Sequence, residues 1–235
     1  MKNESPEFFK MESGKLDIIP TPIGNLGDIS KRSIEVLESC DLILAEDTRT
    51  TGNLLWHLGI DKQLKSFHLH NEHKVVAQIV EALTSGMHYA LCSDAGTPGI
   101  SDPGFLLVRA CVAAGVEVSC LPGPTAFVPA LVVSGIPCDR FSFEGFLPHK
   151  KGRQQKLQAL LKEDKTIVLY ESPHRIIKLL RELSGYGCGD RKIAVCRELT
   201  KLHEEIIRCT VNEALVHFSS KSPKGEFVVV LEGAS

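Results

Sequence analysis

Short apolar runs of strand length alternate with helical patterns along most of this chain, and that alternation restricts its fold more than any other feature. Residues 15–20, 41–46, 64–68, 89–93 and 116–121 read as strands, with helical segments between them at 30–39, 52–58, 74–85 and 105–114. Gly59, Gly86 and Gly115 stand just past the last periodic residue of three of those helices. Glycine takes the left-handed conformation that stops a helix without steric cost. Nearly continuous apolar strands joined through helices predict a parallel α/β sheet covered on both faces.

The pattern pauses at Leu121-Pro-Gly-Pro-Thr125, near the middle of the 235 residues. Beyond it come a helix from Thr125, a strand at 141–146, a basic helix from Gln154 and a strand at 166–170. A helix from His174, strands at 192–197 and 205–210, a helix at 213–218 and a last strand at 227–231 complete the chain. The length accommodates two domains. They are read as 15–122 and 123–235, behind an N-terminal extension at 1–14. Hydrophobic residues at 43% and charged residues at 24% exclude a disordered tail or a fibrous repeat. With 27 basic against 29 acidic residues the net charge is −2, so any hold on nucleic acid has to come from a local patch.

Eight cysteines without a C-x-x-C pair, most of them inside apolar runs, read as small buried hydrophobes in a reducing compartment. The N-terminus shows no apolar signal segment. Residues 118–138 carry no charge but include Pro122, Pro124, Pro129 and Pro137, which no single membrane-spanning helix tolerates. A buried strand, a turn and a helix account for them, and a cytoplasmic protein without membrane contact is expected.

Open α/β sheets bind ligands beyond the carboxyl ends of their strands, so the segments that follow strands carry the functional argument. Residues 89–93 run into Asp94-Ala-Gly-Thr-Pro-Gly-Ile-Ser-Asp102-Pro-Gly104, which holds three glycines and two prolines. Glycine admits a ligand close to the backbone, and proline fixes the loop's shape in advance. Asp102 followed by Pro103 reads as a helix N-cap with proline at the first helical position. Asp94, directly at the strand end, has no such duty. No phosphate-binding lysine is present in the loop, so a nucleoside ribose or a cationic ligand suits it better than a triphosphate.

Glu46-Asp47-Thr48-Arg49 places two carboxylates and a guanidinium at another strand end, suited to proton transfer or phosphate contact. The competing reading has Asp47 or Thr50 capping the next helix. Thr21–Asp28, with Gly24 and Gly27, reads on spacing alone as a tight turn. In Tyr170-Glu-Ser-Pro-His-Arg175, Ser172 and Pro173 start a helix, which leaves Glu171, His174 and Arg175 unexplained. Arg197-Glu-Leu-Thr-Lys201 adds three charges at a strand end. His68 and His70 would share a strand face with His73 nearby, but the set is too small for a zinc site and no metal is expected. Phe141, Phe143 and Phe146 alternate as strand-core residues do. Between His149 and Lys162 there are five Lys/Arg and no acid, which points to phosphate contacts by Lys150, Lys151, Arg153 and Lys156.

Nine motifs occur together and in order: PTPIGNLGDIS (20–30), AEDTR (45–49), SDAGTPGISDPG (93–104), PGP (122–124), SGIP (134–137), EGFLPHK (144–150), YESPHR (170–175), RELTK (197–201) and KGEFVVV (224–230). Over about Leu16 to Gly233 the chain resembles the ribosomal RNA small subunit methyltransferase I family. These are 2′-O-ribose cytidine methyltransferases of the tetrapyrrole methylase superfamily. The resemblance implies two α/β domains of the tetrapyrrole methylase type, mainly parallel in the first and mixed in the second, with the cofactor cleft between them. It also implies S-adenosyl-L-methionine as donor, a homodimer, and the small ribosomal subunit with its 16S rRNA as substrate. On the donor side it places Asp94, Ala95, Gly96 and Ile100, then Thr125 and Ala126, and more loosely Tyr170, Leu199 and Gly225. The PIGN segment with Asn25, the AEDTR segment and Arg175 fall to the RNA side.

Methyl transfer from a sulfonium is an in-line displacement, so positioning the acceptor oxygen supplies much of the catalysis. The weakly acidic ribose hydroxyl still needs a base or a local positive field. Asp47, Arg49, Glu171 and Lys201 are the candidates, Lys201 as a base only if burial lowers its pKa. Two other readings compete: a porphyrinoid C-methyltransferase with the same fold and donor, and a non-catalytic RNA- or nucleotide-binding module.

Overall fold

The computed structural model describes residues 14–220 and 222–234, so the extension at 1–14 lies, but for Gly14, outside the described residues. In the first half, β1 (Lys15–Ile19), β2 (Leu42–Ala45), β3 (Leu64–Ser66), β4 (His88–Cys92) and β5 (Glu117–Cys120) alternate with helices. The helices are α1 (Lys31–Ser39), α2 (Thr48–Leu58), α3 (Glu72–Thr84) and α4 (Phe105–Ala113). The strands form one sheet in the order β3-β2-β4-β1-β5, and every pairing is parallel.

Local signals set the helix limits. Ser30 caps α1 by accepting the Ser33 N–H at 3.0 Å, and α2 stops at Gly59, left-handed with φ 72°. Successive strand residues point to opposite faces, and each face receives its own apolar cover. Leu16, Ile18, Leu44 and Leu91 pack with Ile79 and Leu83 of α3 and Leu107 and Cys111 of α4. Ile19, Ile43 and Cys92 pack with Leu37 of α1 and Leu55 of α2. Each such fully buried aliphatic side chain contributes roughly 1.5–3 kcal/mol. Asp17 interrupts β1 as a buried carboxylate, answered by His88 Nε2 at 2.7 Å and Lys15 Nζ at 3.2 Å.

The second half contains α5 (Phe127–Val133), β6 (Phe141–Phe146), α6 (Arg153–Leu160), β7 (Thr166–Glu171) and α7 (Ile176–Leu183). It continues with β8 (Lys192–Arg197), β9 (Glu205–Thr210), α8 (Val211–Ser219) and β10 (Phe227–Leu231). Its sheet runs β6-β7-β10-β8-β9, with β6 and β7 parallel and the other pairs antiparallel. The parallel and mixed sheets match the expected fold class. The chain divides into two compact units, one of residues up to Thr21 and Asp28–Pro124, the other of Pro22–Gly27 and Thr125 onward. The excursion of Pro22–Gly27 has no counterpart in the sequence-level division.

Several local expectations are corrected. Asp102 does not cap α4; Gly104 takes that position without a side-chain bond, because Gly99, Ser101 and Gly104 all have positive φ and turn the loop away. Ser172 does not cap α7; its carbonyl accepts the N–H groups of Arg175 and Ile176, a turn that delays the helix to Ile176. β3 ends at Ser66, so His68 and His70 lie beyond the strand and share no strand face. β5 is an edge strand and only half buried. Cys40, Cys92, Cys111 and Cys196 are buried, whereas Cys120 and Cys138 are exposed. Among the described residues no helix is long and apolar enough to cross a membrane.

Candidate functional site

β1 and β4 are neighbours, yet the chain leaves β1 toward β2 on one side and β4 toward β5 on the other. Such a switch point opens a crevice beyond the strand ends, where open α/β sheets take their ligands. The two departing loops are tied there: Thr21 and Gly96 exchange N–H to carbonyl hydrogen bonds, both 2.9 Å. Thr21 Oγ1 donates to the Ser93 carbonyl at 3.1 Å, and Thr97 Oγ1 to that of Pro124 at 3.1 Å. Gly96 is left-handed at φ 81°, which keeps the Asp94-Ala-Gly-Thr-Pro turn tight. Asp94 and Ala95 are exposed, Ile100 is half-buried and Gly96 is buried.

At the end of β2, Asp47 caps α2, its Oδ1 accepting the Arg49 N–H at 2.8 Å. The Arg49 guanidinium folds back on the same carboxylate, Nη2 to Oδ2 at 2.6 Å, while staying 88% exposed. Those hydrogen bonds hold the Asp47 carboxyl down at about 2. Asp94 has a partner after all: its Oδ1 accepts the Asp47 N–H at 3.0 Å, and its own N–H approaches Glu46 Oε2 at 3.4 Å. Burial raises the pKa of both Asp94 and Glu46.

Asp102, read from sequence as a cap, belongs to this rim instead. Burial, then the charges of Glu46 and Asp94, push its carboxyl up to about 7. Glu46, Asp47 and Asp94, joined by Asp102 only as it ionises near neutrality, outnumber one exposed guanidinium and suit a cationic ligand. Asp102 therefore holds a proton in the fold that the unfolded chain releases near its ordinary value of 3.8. Its contribution to stability is present below about pH 4 and is lost as the pH rises through about 7. Urea midpoints of wild type and Asp102→Asn across that window should diverge toward pH 7; parallel profiles would remove Asp102 from the rim's electrostatics.

In the second unit the structure joins residues that the sequence left apart. Glu171, at the end of β7, is fully buried, its Oε1 2.8 Å from Arg175 Nε and its Oε2 3.4 Å from Arg153 Nη2. Arg153 is only 3% exposed and reaches Glu182 Oε2 at 2.9 Å as well. This corrects two expectations. Arg153 faces inward and is not available to phosphates, and Glu171 is saturated by two guanidinium groups. Arg175 is likewise committed, to Glu171, Ser172 Oγ and the Leu147 carbonyl. Lys150 and Lys151 are exposed, and Lys156 pairs with Glu144 at 2.6 Å.

The Arg197–Lys201 loop carries two non-glycine residues with left-handed backbone, Glu198 at φ 52° and Thr200 at φ 65°. A β-branched residue there is a true outlier, and such strain gathers at functional sites. Lys201 Nζ is held by Glu198 at 2.8 Å and Glu226 at 2.9 Å. Burial lowers its pKa, but those hydrogen bonds outweigh it and keep the ammonium above its ordinary range. Lys201 is thus no base. Its stem lies on Gly24, where a Cβ would overlap it, so the PIGN segment and this loop depend on one another. Leu199 is buried, and Glu198 fills the space a side chain at Gly225 would need.

Thr125 and Ala126 are half-buried at the entrance to α5. Tyr170 is half-buried among aromatic rings. Asn25 is exposed, its Oδ1 turned to the Gly27 N–H at 3.0 Å. Sequence reasoning missed Glu46 and Asp102 as companions of Asp94, and Glu198 as the anchor of Lys201. The signal for the first two was their position in strand-end loops already singled out. Among the described residues no group of three or more histidines, cysteines or acids is arranged to hold a metal ion.

The family model described as Tetrapyrrole (Corrin/Porphyrin) Methylases matches residues 15–215. A protein of Synechocystis sp. named Ribosomal RNA small subunit methyltransferase I is 49% identical over 223 residues, 94% of this chain and 80% of the relative. A Thermotoga maritima protein of the same name is 49% identical over 220 residues, 94% of this chain and 99% of the relative. Among solved structures, uroporphyrin-III-C-methyltransferase from Thermus thermophilus shares the fold, with a TM-score of 0.64 at 20% identity, covering 93% of this chain and 92% of that one.

Proposed function

Because the chain belongs to the tetrapyrrole (corrin/porphyrin) methylase family, on the branch named for ribosomal RNA small subunit methyltransferase I, we propose that it methylates small-subunit (16S) ribosomal RNA. The finer reading is transfer from S-adenosyl-L-methionine to the 2′-hydroxyl of a cytidine, by a cytoplasmic homodimer. The observation that carries the rRNA reading is an identity of about one half, sustained over 94% of the chain, to proteins of that name.

When bound, S-adenosylmethionine supplies an electrophilic methyl group on a sulfonium. The residues that would hold it are Asp94, Ala95, Gly96 and Ile100 of the strand-end loop, together with Thr125 and Ala126, and Tyr170, Leu199 and Gly225 as the looser part of the set. The excess of carboxylate around Asp94 fits a cationic donor, and the missing phosphate-binding lysine fits a donor without phosphates. Asp47 held near 2, Glu171 closed by two arginines and Lys201 kept as an ammonium are all poor bases for a ribose hydroxyl. The catalytic part then falls to Arg49, whose exposed guanidinium offers a positive field to an oxygen gaining negative character.

Purified protein with labelled donor is expected to methylate small ribosomal subunits in preference to protein-free rRNA, since a chain of net charge −2 holds naked RNA poorly. A porphyrinoid precursor offered in parallel is expected to stay unlabelled; labelling of it instead of RNA would overturn the reading. Asp94→Ala should bind the donor ten- to a hundredfold more weakly, since one charge-assisted hydrogen bond is worth about 1.5–3 kcal/mol. Unchanged affinity in calorimetry would move the donor away from this loop.

A further inference from the structure

We propose that the ring of Phe146 is a stacking surface for an unpaired base of the RNA substrate, with Lys150 and Lys151 beside it for the neighbouring phosphates. The inference rests on the rRNA reading above and names the side chain that grips the nucleotide.

Strict alternation along β6 would set Phe141 and Phe143 on one face of the sheet and Phe146 on the other. The structure breaks that alternation. The β6–β7 register slips between Phe143 and Gly145, leaving Glu144 unpaired, and Gly145 takes φ 56° to make the bulge. Bulges of this kind re-aim side chains beside functional sites. Phe146 is thereby returned to the aromatic face: it meets Tyr170 edge-on at 5.6 Å, Tyr170 meets Phe143 at 5.0 Å, and Phe143 stacks on Phe127 at 4.6 Å. The other three rings are half-buried, but Phe146 remains 52% exposed at the end of the row.

Its orientation is fixed rather than free. The Arg175 guanidinium carbon lies 5.9 Å from the ring centroid, and Arg175 is itself locked by Glu171 Oε1 at 2.8 Å and the Leu147 carbonyl at 3.3 Å. The buried arginine–glutamate network thus ends in a pre-set aromatic ring. The surroundings are cationic: no acid occurs from Phe146 to Lys162, Lys150 and Lys151 are exposed, and nearby Glu144 is neutralised by Lys156. An exposed ring followed closely in the sequence by two exposed lysines matches single-stranded RNA, whose bases stack on aromatics while its phosphates meet cations. An apolar protein surface would leave those lysines without partners.

The test uses full-length protein and purified small ribosomal subunits, titrated over a salt series, for wild type, Phe146→Ala, Phe146→Trp and the double change Lys150→Gln with Lys151→Gln. Phe146→Ala is expected to weaken subunit binding about 5- to 150-fold at fixed salt without altering the salt slope, because a stacked ring carries no charge. Phe146→Trp is expected to restore binding, and the lysine pair to flatten the slope by about 0.7–0.9 for each phosphate no longer neutralised. Donor affinity and particle size should match wild type in Phe146→Ala. Wild-type-like subunit binding by Phe146→Ala overturns the proposal, as does a loss confined to donor affinity or a change in oligomeric size. An unchanged slope in the lysine pair overturns their share in it. Wild type that neither binds nor methylates subunits would instead overturn the rRNA reading itself.

Discussion

Glu171→Ala is expected to lower folding stability by about 3–5 kcal/mol, the usual cost of breaking a buried ion pair from one side. Glu171 is fully buried and Arg153 is 3% exposed, so deleting the carboxylate leaves a guanidinium in the interior with Glu182 as its remaining acid. Arg175 is deprived of its 2.8 Å partner in the same step. The penalty is dominated by charge left unpaired in a poorly polarisable interior, more than by the missing attraction. Denaturant unfolding of the wild type, Glu171→Ala and Glu171→Gln would measure it, with Gln intermediate because it keeps the shape and one acceptor. A loss under about 1 kcal/mol would mean that the arginines find other partners. Reduced turnover at unchanged stability would return Glu171 to the reacting groups.

Arg49→Ala is expected to lower kcat a hundred- to a thousandfold at saturating donor and subunit, the usual cost of removing one donor aimed at developing negative charge. The guanidinium is placed by its own neighbour: Asp47, fixed as the cap of α2, holds it at 2.6 Å and leaves most of it in solvent. Asp47→Asn should have a far smaller effect on kcat, because asparagine caps helices as well as aspartate does and the arginine remains. Methyl incorporation under single-turnover conditions separates the two. Near-wild-type turnover in both variants would reduce the AEDTR segment to a helix-capping turn.

Elements whose signal is local were legible in the sequence. The run KLDII forms β1, and the Gly59 stop ends α2. Arrangements that need a distant partner were not. Arg153 looks like one of five exposed cations in an acid-free run, and only Glu171 and Glu182, from elsewhere in the chain, turn it inward. Asp102-Pro103 carries a good capping signature, yet the positive φ at Ser101 and Gly104 sends the carboxylate to the rim with Glu46 and Asp94. By strict alternation Phe146 falls out of phase with Phe141 and Phe143, and only the slip at Glu144 returns it to their face. Charge and ring type were visible at each of these positions, and the direction of the side chain was not.

Residues Pro22–Gly27 leave the first compact unit, join the second, and are followed by a return to the first. Ile23 adds to the apolar cluster of Ala130, Val168 and Val230, and Gly24 lies under Lys201. The second unit therefore cannot be cut out as one continuous stretch of chain. A fragment beginning at Thr125 would keep its whole sheet but lack the strip that brings Ile23 to that cluster. During synthesis the order is reversed: that strip leaves the ribosome long before Lys201 is made, and stays uncommitted until the carboxyl-terminal half arrives. Vectorial folding of this chain is thus not a matter of finishing one half and then the next; its last docking event reaches back almost to the beginning.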